Sequence, residues 1–111
     1  MSSIEEIISY DVDYYGGGMN ATGYQYRAII GLRRANKSLI GAAYFHRDPS
    51  TLPPTDEQKP GGYIWCHYPW DSFAQVLDLL RNESPVYLRY VGANWQVACI
   101  TTSIEPVGES E

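Results

Sequence analysis

The sequence predicts an α+β domain built on a mostly antiparallel, strongly curved sheet with one amphipathic helix packed on one face. Three observations predict this class. Apolar and polar residues alternate over much of the chain, apolar residues recur with helical spacing in one segment, and turn residues separate short strands. The predicted element order is β-β-β-β-α-β-β. At 111 residues the chain is expected to form one domain, placed at 1–103, with an acidic flexible tail at 104–111.

Four strands are predicted before the helix. We place them at 8–14, 24–33, 38–46 and 63–68. The third is apolar on both faces, which is typical of a strand at the centre of a sheet. Ser3 and Glu6 have the spacing of a helix cap, so a short helical turn is expected ahead of the first strand.

The helix is predicted from four apolar residues at positions i, i+3, i+4 and i+7, namely Phe73, Val76, Leu77 and Leu80. Ser72 and Gln75 have the spacing of a capping box at its start, and Asn82 and Pro85 mark its end. Two further strands are expected at 86–91 and 95–102.

One helix covers only one face of a sheet, although several of these strands are apolar on both faces. The other face needs cover from curling of the sheet into a half-barrel, from the long loop at 47–62, or from another subunit. Large exposed apolar patches are rare on monomers. The sequence therefore predicts a homo-oligomer, most simply a twofold dimer.

Composition excludes several classes of protein. A net charge of −5 with only eight basic residues argues against binding to duplex nucleic acid, which needs a basic face. Two cysteines without a Cys-x-x-Cys motif indicate neither a zinc site nor a disulfide framework. No apolar run is long enough to span a membrane, and the acidic N-terminus does not resemble a signal peptide. We expect a soluble, cytoplasmic protein.

No arrangement of residues indicates catalysis. Cys66 and His67 are adjacent on a predicted strand and so point to opposite faces. His46 can meet either of them across the sheet, but two histidines on separate strands make a poor metal site. Asp11 and Asp13 are expected on a solvated strand face. We predict no enzymatic activity, no metal and no cofactor.

Glycines interrupt the tyrosine-rich stretch at 13–27, and we call residues 15–23 the glycine segment. Gly16–Gly18 lack the Gly-Lys-Ser/Thr ending of a phosphate-binding P-loop. The segment is either a flexible hairpin tip or a loop whose backbone amides close over a ligand. Alternation alone explains Tyr24 and Tyr26 as residues that line a sheet, whereas Tyr15 and the glycines suggest a contact surface.

Arginines among aromatic residues form the best functional indication. Arg27 follows Tyr26, Arg89 lies between two tyrosines, and Arg47 opens the long loop. Guanidinium groups bind phosphate or carboxylate and also stack on rings, and aromatic faces accept a base. The candidate ligand-binding residues are Arg27, Arg47, Arg89, Tyr15, Tyr24, Tyr26, Trp65, Trp70 and Trp95. The alternative is that the arginine stems merely cover neighbouring tyrosine rings at the surface.

Two functional hypotheses follow from different classes. The first is a non-catalytic binding module that holds a nucleotide-like or other small anionic ligand in an Arg/Tyr/Trp cleft between subunits. The second is a protein–protein interaction factor, of inhibitor or immunity type, whose acidic surface meets a basic partner. A binder of single-stranded nucleic acid is a third, weaker hypothesis.

Overall fold

A computed structural model describes residues 2–18 and 24–104, and within them it contains eight strands and one α-helix. The elements are β1 (Ser3–Ile7), β2 (Ser9–Tyr14), β3 (Tyr26–Arg33), β4 (Leu39–His46), β5 (Glu57–Gln58), β6 (Ile64–Pro69), α1 (Phe73–Asn82), β7 (Val86–Val91) and β8 (Val97–Thr102). Two short 3-10 turns, Pro49–Thr51 and Trp70–Ser72, precede β5 and α1. The predicted tail falls almost wholly outside the described residues, as do positions 19–23 of the glycine segment.

The strands form two sheets. One has the order β1-β7-β8, and the other has the order β2-β3-β4-β6-β5. The α+β class, the mainly antiparallel pairing and the single helix confirm the prediction. The predicted single sheet and its element order are wrong, because β1 and β5 were not expected and because β4 pairs with β6 in parallel. A parallel pair needs a long crossover connection, and residues 47–63 supply it.

The expected helical turn at the N-terminus is instead strand β1. Its residues pair with β7, with Ile7 opposite Val86. The chain then passes through Ile8 directly into β2, which pairs with β3 in the other sheet. Tertiary pairing has overridden the local capping signal of Ser3 and Glu6. This continuous stretch joins the two sheets along one side.

The Asp56 side chain joins the sheets on the opposite side. The Asp56 carboxylate accepts hydrogen bonds from the backbone N–H of His67 in β6 and of Ala98 in β8, each at 2.8 Å. The Asp56 N–H donates to the carbonyl of Gln96 at 2.9 Å. The half-barrel expected from one continuous sheet is thus replaced by two sheets held together along both sides.

The core lies between the two sheets and α1. Its largest fully buried side chains include Phe45, Ile30, Leu32, Ile64 and Leu88. Val76 is the buried residue of the helix, and the other residues of the predicted stripe pack against the core, which confirms the helical face. The predicted cap is not formed, because the Ser72 side chain makes no capping hydrogen bond and a 3-10 turn leads into α1 instead.

The small residues of β4 allow close approach of a neighbouring strand. A side chain at Gly41 would place its Cβ 2.2 Å from the carbonyl oxygen of Ile64. This agrees with the central position predicted for β4, which lies between β3 and β6. The long segment after β4 is more ordered than its prolines suggest, since it contains a 3-10 turn and β5.

The long segment also covers part of the second face of the five-stranded sheet, where His46 is fully buried. The homo-oligomer expected from uncovered apolar faces remains a prediction. No helix within residues 2–18 and 24–104 is long and apolar enough to cross a membrane.

Candidate functional site

Arg27 and Arg47 converge on adjacent carbonyl groups of the glycine segment. Arg27 lies where the β3–β4 register shifts at the start of β3. Its Nη1 donates to the carbonyl oxygen of Tyr15 at 2.6 Å. The Nη2 of Arg47, which directly follows β4, donates to the carbonyl oxygen of Gly16 at 3.1 Å. One cation from β3 and one from just beyond β4 therefore hold the chain just after β2.

The Arg27 guanidinium also lies against aromatic rings. Its central carbon is 5.1 Å from the ring centre of Tyr14 and 5.7 Å from that of Trp70. Trp70 in turn stacks on Phe73 at 5.0 Å, at the start of α1. Contacts of this kind favour a cation next to a ring face and fix the direction of the side chain.

Five aromatic residues form a continuous chain of ring contacts, which we call the tyrosine row. Neighbouring ring centres lie 5.0 to 5.6 Å apart along the sequence Tyr15, Tyr24, Tyr26, Tyr44 and Trp65. The Lys59 ammonium lies 4.1 Å from the ring centre of Trp65 and ends the row. Burial and a hydrogen bond with Tyr63 raise the pKa of Tyr44 well above its ordinary value. The Tyr44 hydroxyl is therefore a neutral donor or acceptor over the physiological range.

The arginines of the site have no carboxylate partner in the described part of the chain. The ion pairs found there join Arg33 to Asp11, Arg34 to Glu5, and Glu57 to both Lys59 and His67. The Nε of Arg47 is buried without a hydrogen-bond partner among the same residues. A guanidinium has five N–H donors, so Arg27 and Arg47 have further donors beyond the single hydrogen bond that each makes to a carbonyl of residues 15 and 16.

Seven of the nine predicted site residues belong to this region. Tyr15, Tyr24, Tyr26 and Trp65 belong to the tyrosine row, Arg27 and Arg47 hold the glycine segment, and Trp70 contacts Arg27. Arg89 lies elsewhere, exposed on β7 beside a recess of about 240 Å³ that is also lined by Ser3 and Ile4. Trp95 is 75% exposed in the turn between β7 and β8, next to Pro53 and Pro54.

Sequence reasoning missed three residues of the region: Tyr14, Tyr44 and Lys59. Tyr44 alternates with the buried Phe45 on β4, so a strict period of two indicates that it points away from the core. No sequence pattern indicates Tyr14 or Lys59 as site residues, because their contacts depend on which strands become neighbours.

A partly buried chain of hydrogen-bonded side chains adjoins the tyrosine row. His46 Nε2 and His67 Nδ1 are 3.0 Å apart, and His46 Nδ1 is 2.8 Å from the Thr51 hydroxyl. His67 Nε2 is 3.3 Å from Glu57 Oε2. Cys66 points into the core, which confirms that it and His67 face opposite sides. The described residues contain no cluster of three or more groups able to hold a metal ion.

A recess of about 420 Å³ lies beside this chain. It is lined by Leu52, Pro53, Pro54, Thr55, Asp56, His67, Trp95, Gln96 and Val97. Both ring nitrogens of His67 are already within hydrogen-bonding distance of protein groups.

Comparison with known proteins gave no match: no family model, no curated protein and no solved structure is similar to this chain.

Proposed function

We propose that the protein is a non-catalytic binding module that holds a small anionic, nucleotide-like ligand where Arg27 and Arg47 meet the tyrosine row. One observation carries the proposal. In a chain of net charge −5, the guanidinium groups of Arg27 and Arg47 both bind one short segment, and neither forms an ion pair with a carboxylate among the described residues. Charge-assisted, bidentate contacts to phosphate or carboxylate oxygens are the chemistry that such groups favour.

The aromatic residues support a ligand with a planar part. Tyr24 is 42% exposed and contacts Tyr15 and Tyr26 edge-to-face, so the row presents ring surface beside the arginines. Base–aromatic stacking is worth about 1–3 kcal/mol for each base. The ligand class is therefore an anion joined to a flat heterocycle, and the homo-oligomeric cleft predicted from the sequence remains part of the proposal.

Titration with linear and cyclic nucleoside monophosphates, followed by tryptophan fluorescence, tests the proposal. We expect saturable binding to wild type and about 10–100-fold weaker binding to Arg27→Ala and Arg47→Ala, because each loses a charge-assisted hydrogen bond worth about 1.5–3 kcal/mol. Arg89→Ala is the matched control, since that exposed arginine lies on the three-stranded sheet. A response that is absent, or lost equally in all three variants, contradicts the proposal.

A second candidate is a protein–protein interaction factor, favoured by the edge of the five-stranded sheet. Strand β2 is the last strand on that side and exposes Val12 and Tyr14 together with Asp11 and Asp13. An edge strand offers unpaired backbone groups to another chain. Sedimentation of the purified protein with Val12→Lys as comparison tests self-association through this edge. A wild-type monomer, or an oligomer unchanged by the variant, excludes self-association through this edge.

A further inference from the structure

The segment from Arg47 to β5 crosses the five-stranded sheet above two buried histidines. His46 is fully buried, and the side chain of His67 is only 5% exposed. Thr51 contacts His46 from one end of the segment, and Glu57 contacts His67 from the other. The two rings therefore form a hydrogen-bonded link between Thr51, near the start of the segment, and Glu57, near its end.

One arrangement with three protons on the two rings satisfies every partner along this link. The Thr51 hydroxyl donates to the carbonyl of Asp48 at 2.9 Å, so its oxygen is free to accept from Nδ1–H of His46. The Nε2 of a neutral His46 then carries the lone pair and accepts from Nδ1–H of His67 at 3.0 Å. A proton on Nε2 of His67 would complete the link by donating to Glu57.

The closed link has room for three protons on the two rings but not for a fourth. With both rings doubly protonated, Nε2–H of His46 would face Nδ1–H of His67, so two donors would meet at 3.0 Å and the link would break. Burial and then the nearby His67 lower the pKa of His46, so the closed arrangement disfavours a further proton on that ring.

Among the described residues, the charged side chain of Glu57 contacts His67, whereas no charged carboxylate contacts His46 directly. Tyr26 packs on His46 from β3, and Tyr44 stacks on His67 from β4. On the covering segment, Glu57 and Lys59 form an ion pair, and Lys59 and then His67 lower the pKa of the Glu57 carboxyl. The Asp56 carboxylate is bound to the His67 backbone N–H. None of the described carboxylates forms an ion pair with His46 that would stabilise its protonated form.

We propose that His46 and His67 form a pH-sensitive latch that holds residues 48–58 against the sheet at neutral pH and releases them in mild acid. Opening lets the two rings take up the fourth proton that the closed state excludes. Because a pair limited to three protons in the closed state binds a fourth when open, closure weakens as pH falls below about 6.5. The latch does not depend on the ligand proposed above, so either proposal can fail without the other.

Amide hydrogen exchange between pH 7.5 and 5.0, expressed as protection factors, tests the latch. We expect the protection of Asp56, Glu57 and Gln58 to fall by up to about tenfold for each pH unit below about 6.5, the slope for uptake of one proton. Protection in β7 (Val86–Val91) reports the rest of the fold and should change far less. An equal loss of protection in residues 56–58 and in β7 contradicts the proposal.

Two variants separate the latch from general acid sensitivity. Because His46→Phe keeps a ring beside Tyr26 but cannot take up a proton, its segment should be less protected at pH 7 and should lose the pH dependence. Thr51→Val removes the acceptor of His46 Nδ1–H and should lower protection at pH 7, whereas Ser50→Ala, in the same turn, should not. Wild-type pH dependence in His46→Phe overturns the latch.

A measurement on the wild type covers the case in which His46→Phe does not fold. Nitrogen NMR of the imidazole rings reports which nitrogen carries a proton. Both rings should be doubly protonated at the same time only together with the loss of protection in 56–58. Double protonation of both His46 and His67 while that protection persists contradicts the proposal.

Discussion

The carboxylate of Asp56 lies 2.8 Å from the backbone nitrogen of Ala98, and this hydrogen bond ties β8 of one sheet to a residue that also binds β6 of the other. The Asp56 carboxylate thus accepts backbone hydrogen bonds from both β6 and β8, which do not pair with each other. A carboxylate suits this position because both of its oxygens accept and neither donates.

Asp56→Asn should lower the free energy of unfolding by about 1–3 kcal/mol, the effect of leaving one backbone N–H against an amide donor instead of an acceptor. Urea denaturation measures the change. Asp13→Asn is the control, because Asp13 is an exposed aspartate on β2. An unchanged midpoint for Asp56→Asn would mean that the two sheets do not depend on this carboxylate.

Gly41→Ala should destabilise the protein by at least about 1–3 kcal/mol, because its Cβ would lie 2.2 Å from the carbonyl oxygen of Ile64 and force β4 and β6 apart. Gly18→Ala is the matched control, since no atom lies within 4 Å of the added Cβ there. Thermal unfolding of the two variants should differ clearly. Equal melting temperatures would contradict the close approach of β4 and β6.

Stability should fall in alkali because of Cys66. Burial raises the pKa of its thiol far above the ordinary value, so the folded state keeps the thiol neutral while the unfolded chain ionises it above about pH 8.5. Each pH unit above that value should cost about 1.4 kcal/mol for this group. Urea midpoints at pH 8 to 10 should fall less steeply for Cys66→Ala than for wild type.

The control for the alkaline effect is Cys99→Ala, which leaves Cys66 in place and should keep the wild-type slope. Identical slopes for wild type and Cys66→Ala would contradict the role of the buried thiol. Above about pH 10 the partly buried Tyr68, whose pKa burial also raises, should add a second loss in every variant.

Arg34→Lys should lower stability modestly, by about 0.5–1 kcal/mol. Arg34 binds both carboxylate oxygens of Glu5, one of them at 3.0 Å from Nη2, and so connects the turn after β3 to β1 of the other sheet. Lysine cannot make this paired contact. Both side chains are 41% exposed, so 1 M NaCl should reduce the difference from wild type.

Arg81→Lys, on the exposed side of α1, is the control and should leave the unfolding midpoint unchanged at either salt concentration. A loss for Arg34→Lys that is equally large in 1 M NaCl would argue against an electrostatic origin.

Local patterns of apolar residues were sufficient to predict most of the strands and the helix. The apolar stripe of Phe73 and Val76 gave the helix, and the doubly apolar 38–46 segment gave the central strand. The division into two sheets could not be predicted, because it depends on which distant strands pair. Ser3–Ile7 illustrates this point, since only its pairing with β7 makes it a strand.

The candidate site was predicted as a set of residue types but not as an arrangement. Arg27 and Arg47 stood out because each adjoins aromatic residues, yet their meeting at Tyr15 and Gly16 depends on the β2–β3–β4 register. The His46–His67 contact was one of two alternatives open to the sequence. The parallel pairing of β4 and β6 decides it, because Tyr44 lies opposite His67 and His46 follows two residues later on the same face.

That parallel pairing also limits how the chain can be redesigned. Two strands that run in the same direction cannot be joined by a tight turn, so the connection at 47–63 must travel the length of the sheet before β6 begins. A minimised version of this domain would have to retain that return path almost in full. Residues can be trimmed with less disturbance from the turn between β3 and β4, which joins antiparallel neighbours.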